Sequence, residues 1–142
     1  MDRKEFLRLM GGSCLAIAGI APFFSGCTSI HKVSAVISDN KLRLSKNEFT
    51  SDQGKPLELV LVRAASLAFP IALYRINPEE YIALWMECTH KGCEVNAQTN
   101  YLVCPCHGSE FDAKGNVVQG PAETNLKTFN ITTDHENIYI HL

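Results

Sequence analysis

Residues 88–109 constrain this chain more than any other stretch. CTHKGC (Cys88 to Cys93) and CPCHGS (Cys104 to Ser109) stand on either side of a ten-residue spacer, so four cysteines and two histidines fall within a short span. Thiolates and imidazoles are the softer protein ligands, and clusters of them mark zinc or iron-sulfur sites. Six ligands over-supply such a site, because a tetrahedral metal or a two-iron cluster takes four protein donors. The first box reads Cys-x-His and the second Cys-x-x-His. Each therefore offers one thiolate and one imidazole, at Cys88 and His90 and at Cys104 and His107, and Cys93 and Cys106 are left as a matched pair.

The rest of the chain bounds the answer. At 142 residues it has room for one domain and a short appendage, and a net charge of −2 leaves no electrostatic footprint for nucleic acid. There is no nucleotide-binding loop and no second catalytic constellation. Catalysis by this chain alone is therefore not expected.

The two boxes, in residue type and internal spacing, closely resemble those of the Rieske iron-sulfur family. The resemblance implies a 2Fe-2S cluster with Cys88 and Cys104 on one iron and His90 and His107 on the other, and a Cys93–Cys106 disulfide clamping the loops. It implies an all-β fold of stacked antiparallel sheets, with residues 87–122 as a small cluster-binding subdomain inside a domain spanning 27–142. It also implies that Ser109 donates a hydrogen bond to a bridging sulfide, and that Gly120, Pro121 and Ala122 form a proline loop over the cluster's third side. Two positions depart from the high-potential bc-type pattern. Phe111 stands where those proteins carry a tyrosine hydroxyl, which predicts a lower potential, and Lys91 replaces the apolar residue that follows the first histidine. An ammonium there resists burial in an apolar quinol pocket.

A disulfide needs an oxidising compartment, so the chain is expected to carry an export signal. Arg3, Lys4 and Arg8 precede a mostly apolar run from Leu9 to Phe24, the order of a signal peptide. The run is shorter than the ~20 apolar residues of a spanning helix and is interrupted by glycine; an uncleaved membrane anchor is the alternative. Phe24-Ser25-Gly26-Cys27 resembles a lipobox, in which cleavage removes residues 1–26 and Cys27 receives the lipid; a lone free cysteine is the competing reading. Arg3-Lys4-Glu5-Phe6-Leu7 resembles the twin-arginine motif with Lys4 in place of the second arginine, which leaves the export route open. A chain beginning at Cys27 would carry a net charge of −3, by loss of three basic and two acidic side chains.

From residue 31 onward short apolar segments alternate with turn residues. Val33–Ile37, Lys41–Leu44, Leu57–Val62, Ile71–Ile76 and Tyr81–Met86 predict strands, separated by Asp39-Asn40, Gln53-Gly54 and Asn77-Pro78-Glu79. Asn130–Leu142 predicts a final hairpin turning near Asp134–Asn137. No segment holds a 3.6-residue period for three turns, which argues for short antiparallel strands. Tyr81 and Trp85 are expected in the core. His31, His135 and His141 lie outside the boxes and are expected at the surface with no metal role.

These readings combine into a membrane-tethered one-electron carrier on the periplasmic or extracytoplasmic face, exchanging electrons with a quinol or with a cytochrome b- or c-type protein. The alternatives from other classes are a redox sensor and a binding domain stapled by zinc or a disulfide.

Overall fold

Leu59-Val60-Leu61-Val62 and Ile71-Ala72-Leu73-Tyr74 are apolar at consecutive positions, a pattern that suits strands covered on both faces. In the computed structural model, which describes residues 29–142, they are the centre of the molecule. The signal, twin-arginine and Cys27 expectations lie outside the described residues. Among the described residues twelve strands run β1 (His31–Ser34), β2 (Ile37–Ser38), β3 (Lys41–Ser45), β4 (Leu59–Arg63), β5 (Ile71–Asn77), β6 (Glu80–Trp85), β7 (Asn96–Ala97), β8 (Tyr101–Val103), β9 (Glu110–Asp112), β10 (Val117–Gln119), β11 (Thr128–Thr133) and β12 (Asn137–His141).

Eight of these form one sheet in the order β1-β4-β5-β6-β11-β12-β3-β2, and the other four form a small sheet in the order β10-β9-β8-β7. The large sheet curls at β11, whose Thr128 and Phe129 pair with Leu84 and Ala83 of β6 while Asn130–Thr133 pair with β12. Its two leaves close on each other over Leu42, Leu44, Val60, Val62, Ile71, Leu73, Ile138 and Ile140. The alternate residues of the β4-β5-β6 leaf, Leu59, Leu61, Ala72, Tyr74 and Leu84, face the small sheet and pack on Val95, Leu102 and Phe111. The β4-β5-β6 leaf is therefore buried on both sides, which accounts for its unbroken apolar runs.

The all-β class and the hairpins agree with the sequence reading, and three details differ. The strand expected over Val33–Ile37 is two strands, because β1 pairs with β4 and β2 turns to pair with β3. The β1–β4 pair is parallel, in an otherwise antiparallel sheet. Lys46–Phe49 forms a 3-10 turn, started by the Ser45 side chain accepting from the Asn47 N–H, and it drops Phe49 into the core. Tyr81 and Trp85 are half-buried against the core, Trp85 in edge-to-face contact with Phe69 and Phe129. His31 is half-buried and bonded to Glu48, and His141 to Thr132. Among the described residues no helix is long and apolar enough to cross a membrane.

Candidate metal centre

Box 1 follows β6, box 2 joins β8 to β9, and both are six-residue loops closed in the same way. In box 1 the Cys88 N–H donates to the Cys93 carbonyl at 2.8 Å, and the Cys88 carbonyl accepts from the Gly92 N–H at 2.8 Å. In box 2 the Cys104 N–H donates to the Ser109 carbonyl at 2.8 Å, and the Cys104 carbonyl accepts from the Gly108 N–H at 3.0 Å. The fifth residue of each loop is a glycine at positive φ, +77° at Gly92 and +79° at Gly108. This is backbone that glycine enters without steric cost. A bridge between Glu87 and Glu94 closes the base of box 1, and Val103 paired with Glu110 closes that of box 2.

These matched frames bring the donors together. Cys88 and Cys104 are free and buried, and they pack in one core cluster. Burial pushes the Cys88 thiol up, the neighbouring Cys104 adds to this, and hydrogen bonds from the His90 N–H and Ser109 oppose it without reversing it. The His90 and His107 rings meet edge to face with centroids 4.8 Å apart. The buried His90 Nδ1 has no hydrogen-bond partner, a costly arrangement for a polar atom with nothing to bind.

Cys93 and Cys106 are joined by a disulfide, which ties box 1 to box 2. The Cys93, Cys104 and Cys106 sulfurs lie within 4.8 Å of one another. That trio is no metal site, since two of its members have no thiolate to offer. Cys104 belongs with Cys88.

The end of β10 and the segment after it strap both boxes. The Ala122 N–H donates to Ser109 Oγ at 3.0 Å, and Thr89 Oγ1 donates to the Thr124 carbonyl at 2.6 Å. Gln119 Nε2 donates to the Gly108 carbonyl at 3.4 Å. Ser109 is fully buried, as is Phe111 two residues on. Gly120 and Pro121 are exposed and Ala122 is buried. Tyr74, on the middle leaf, donates from its hydroxyl to the Gln98 carbonyl at 2.6 Å and so pins the β7–β8 turn; burial pushes its phenol well above the ordinary range. Sequence reasoning missed Thr89 and Tyr74, because their partners lie 35 and 24 residues away and no local pattern announces them.

Two buried free thiols, two imidazoles and an unpartnered ring nitrogen fit a two-iron cluster in the chemistry of the donor set.

Comparisons with known proteins agree with this reading. The family model of the Rieske 2Fe-2S domain matches residues 42–130. Over 55 residues the chain is 46% identical to the cytochrome b6-f complex iron-sulfur subunit of Synechococcus sp. (strain WH7803), a match that covers 37% of this chain and 31% of that protein. The chain thus aligns with less than a third of that relative's length.

Among solved structures it is similar to the plasma membrane Rieske protein PetC3 from Synechocystis PCC 6803, at 28% identity over 71% of this chain and 85% of that one, with a TM-score of 0.47. It is also similar to a Sphingomonas yanoikuyae B1 ferredoxin, at 25% identity over 72% of this chain and 99% of that one, with a TM-score of 0.51. The chain belongs to the Rieske 2Fe-2S domain family, and its cofactor is a Rieske-type 2Fe-2S cluster.

Proposed function

We propose that this chain is a one-electron carrier in which Cys88 and Cys104 hold one iron and His90 and His107 the other. The observation that carries the proposal is the pair of identically closed loops presenting two buried free thiols and two imidazoles, one with its Nδ1 buried and unpartnered. When bound, a Rieske cluster supplies one-electron chemistry at about −150 to +300 mV.

The residues around it have separable tasks. Ser109 and Ala122, both buried, exclude water from the thiol side, and Ser109 Oγ, already accepting from Ala122, keeps its O–H free to donate to sulfur. The disulfide and the 119–125 strap hold the loops at a fixed spacing. His107 is exposed and His90 half-buried, so this edge is the one a partner meets. With Nδ1 as the ligand atom of His90, its Nε2 is left to hold or release a proton, which couples electron uptake to proton uptake. A quinol gives up both, and is a fitting donor.

On this reading the carrier is tethered at the extracytoplasmic face through Cys27, as the partner or iron-sulfur subunit of a quinol-oxidising or other periplasmic oxidoreductase. The likeness to a cytochrome b6-f iron-sulfur subunit supports such a partner. Protein purified from membranes should show visible absorption and, once reduced, an electron paramagnetic resonance signal. A colourless, zinc-loaded protein would falsify the redox reading. Affinity capture with the N-terminus intact should retrieve a cytochrome; retrieval of a regulatory protein alone would identify a sensor instead.

A further inference from the structure

Glu87 immediately precedes Cys88, and its side chain turns back against box 1. Its Oε2 accepts from Trp85 Nε1 at 2.8 Å. Its Oε1 lies so near the loop that a Cβ placed on Gly92 would meet it at 3.4 Å. The donor is itself held in place, because the Trp85 ring stands edge to face with Phe69 at 5.6 Å and with Phe129 at 5.9 Å. Among the described residues no cation lies within ion-pair distance of Glu87.

Glu94 provides an internal comparison. It stands opposite Glu87 in the bridge at the base of the same loop, yet its Oε1 is drawn to Arg63 Nη2 at 3.0 Å. Two carboxylates therefore flank the loop that carries His90. Only that of Glu87 is turned over it.

We infer that Glu87 tunes the redox centre by its charge: its carboxylate, fixed by the Trp85 indole against box 1, is a standing negative charge that opposes addition of an electron and holds the reduction potential down. The inference rests on the reading that Cys88, His90, Cys104 and His107 hold the cluster. The step it concerns is the entry of one electron from an external mediator, with no bond made or broken. Two thiolates, two sulfides and two ferric ions sum to zero, so the reduced centre carries one negative charge, and a carboxylate nearby raises its free energy. Glu87 is exposed, so water and salt screen part of the effect.

The test is a mediated redox titration of the cluster-loaded full chain as wild type, Glu87→Gln, Glu94→Gln and Trp85→Phe, at matched iron content and at low and high ionic strength. Glu87→Gln keeps an oxygen for the indole and removes only the charge. It should move the reduction equilibrium about threefold toward the reduced form, which at 59 mV per decade is an upward shift of about 30 mV. Glu94→Gln should move it less than half as far. Trp85→Phe frees the carboxylate to swing into solvent and should also shift the potential upward. High salt should shrink each difference.

Equal potentials for wild type and Glu87→Gln, with the cluster loaded in both, would overturn the inference alone. So would equal shifts for Glu87→Gln and Glu94→Gln, since that is the signature of a general loss of charge. A colourless wild-type protein would overturn the cluster reading and this inference with it.

Discussion

Ser109→Ala removes a hydroxyl that the structure uses twice. Ser109 Oγ is fully buried, accepts from the Ala122 N–H at 3.0 Å, and is among the groups that draw the Cys88 thiol down against burial. A net hydrogen bond is worth about 0.5–1.5 kcal/mol to a neutral acceptor and about 1.5–3 kcal/mol to a charged one. The reduced centre carries one more negative charge than the oxidised centre. The loss therefore falls unevenly on the two states, by roughly 1 kcal/mol. With about 1.4 kcal/mol and 59 mV to each decade, that lowers the potential by roughly 40 mV. The same change leaves the Ala122 N–H without its partner in a buried position, at a further cost to stability of about 1–3 kcal/mol. Titration of the potential and thermal melting, run on one preparation at full iron content, separate the two effects. A potential that stays put or rises while the protein is destabilised would refute the idea that this hydroxyl donates to sulfur, and would leave Ser109 as a strap for the backbone at Ala122 alone.

Phe111→Tyr places a hydroxyl on a fully buried ring in the same core cluster as Cys88 and Cys104; it should raise the potential by roughly 40 mV on the same hydrogen-bond arithmetic, and a redox titration showing no upward shift would remove the argument. Gly115 has φ +83°, and a Cβ there would meet Leu84 Cδ2 at 2.7 Å. Gly115→Ala should cost about 1–3 kcal/mol in thermal or denaturant unfolding. At the β11–β12 tip, the Tyr139 hydroxyl, donating to Asp134 Oδ2 at 2.7 Å, leads the backbone N–H groups of Glu136 and Asn137 in holding the Asp134 carboxyl down at about 2. Its folded value lies below its unfolded one, so the support it lends the hairpin is complete above the ordinary aspartate range and is lost as pH falls through about 2. Carboxyl chemical shifts should report this titration, and Tyr139→Phe should move it up toward 3.8.

The legible parts of this molecule are those whose physics is local. Cys88, His90, Cys104 and His107 stand out because two short boxes crowd sulfur and nitrogen donors within a few residues, and the structure packs the two thiols in one core cluster and the two rings edge to face. Gly92 and Gly108 mark the loop ends because the fifth residue of each loop sits in the left-handed region. The Asp134–Asn137 turn was visible from its residue types, and Asp134 Oδ1 does accept from the N–H groups of Glu136 and Asn137.

What could not be read depends on distant partners. The break at Ala35 and Val36 exists because β1 is drawn to β4 and β2 to β3. The curl at β11 exists because Phe129 pairs with Ala83 while Ile131 pairs with Ile140. Glu87 looks like any surface glutamate until Trp85 and Gly92 are seen beside it.

The equal closing of the two loops also gives meaning to where they differ. Counting from the first cysteine, the third position holds His90 in box 1 and Cys106 in box 2, and the fourth holds Lys91 and His107. The disulfide runs from the sixth position of box 1 to the third position of box 2, so it crosses from one frame to the other instead of joining like to like. It occupies the slot in box 2 that would match His90, and the second imidazole moves one place along, to a more exposed position. In box 1 that same exposed position belongs to Lys91. A partner that approaches His107 therefore meets an ammonium on the neighbouring loop at an equivalent place. Stripping water from that ammonium without supplying an opposite charge would cost several kcal/mol. A surface that receives this tip thus needs an acidic group or retained water opposite Lys91, and a wholly apolar pocket is the one environment this pair of loops is poorly built to enter.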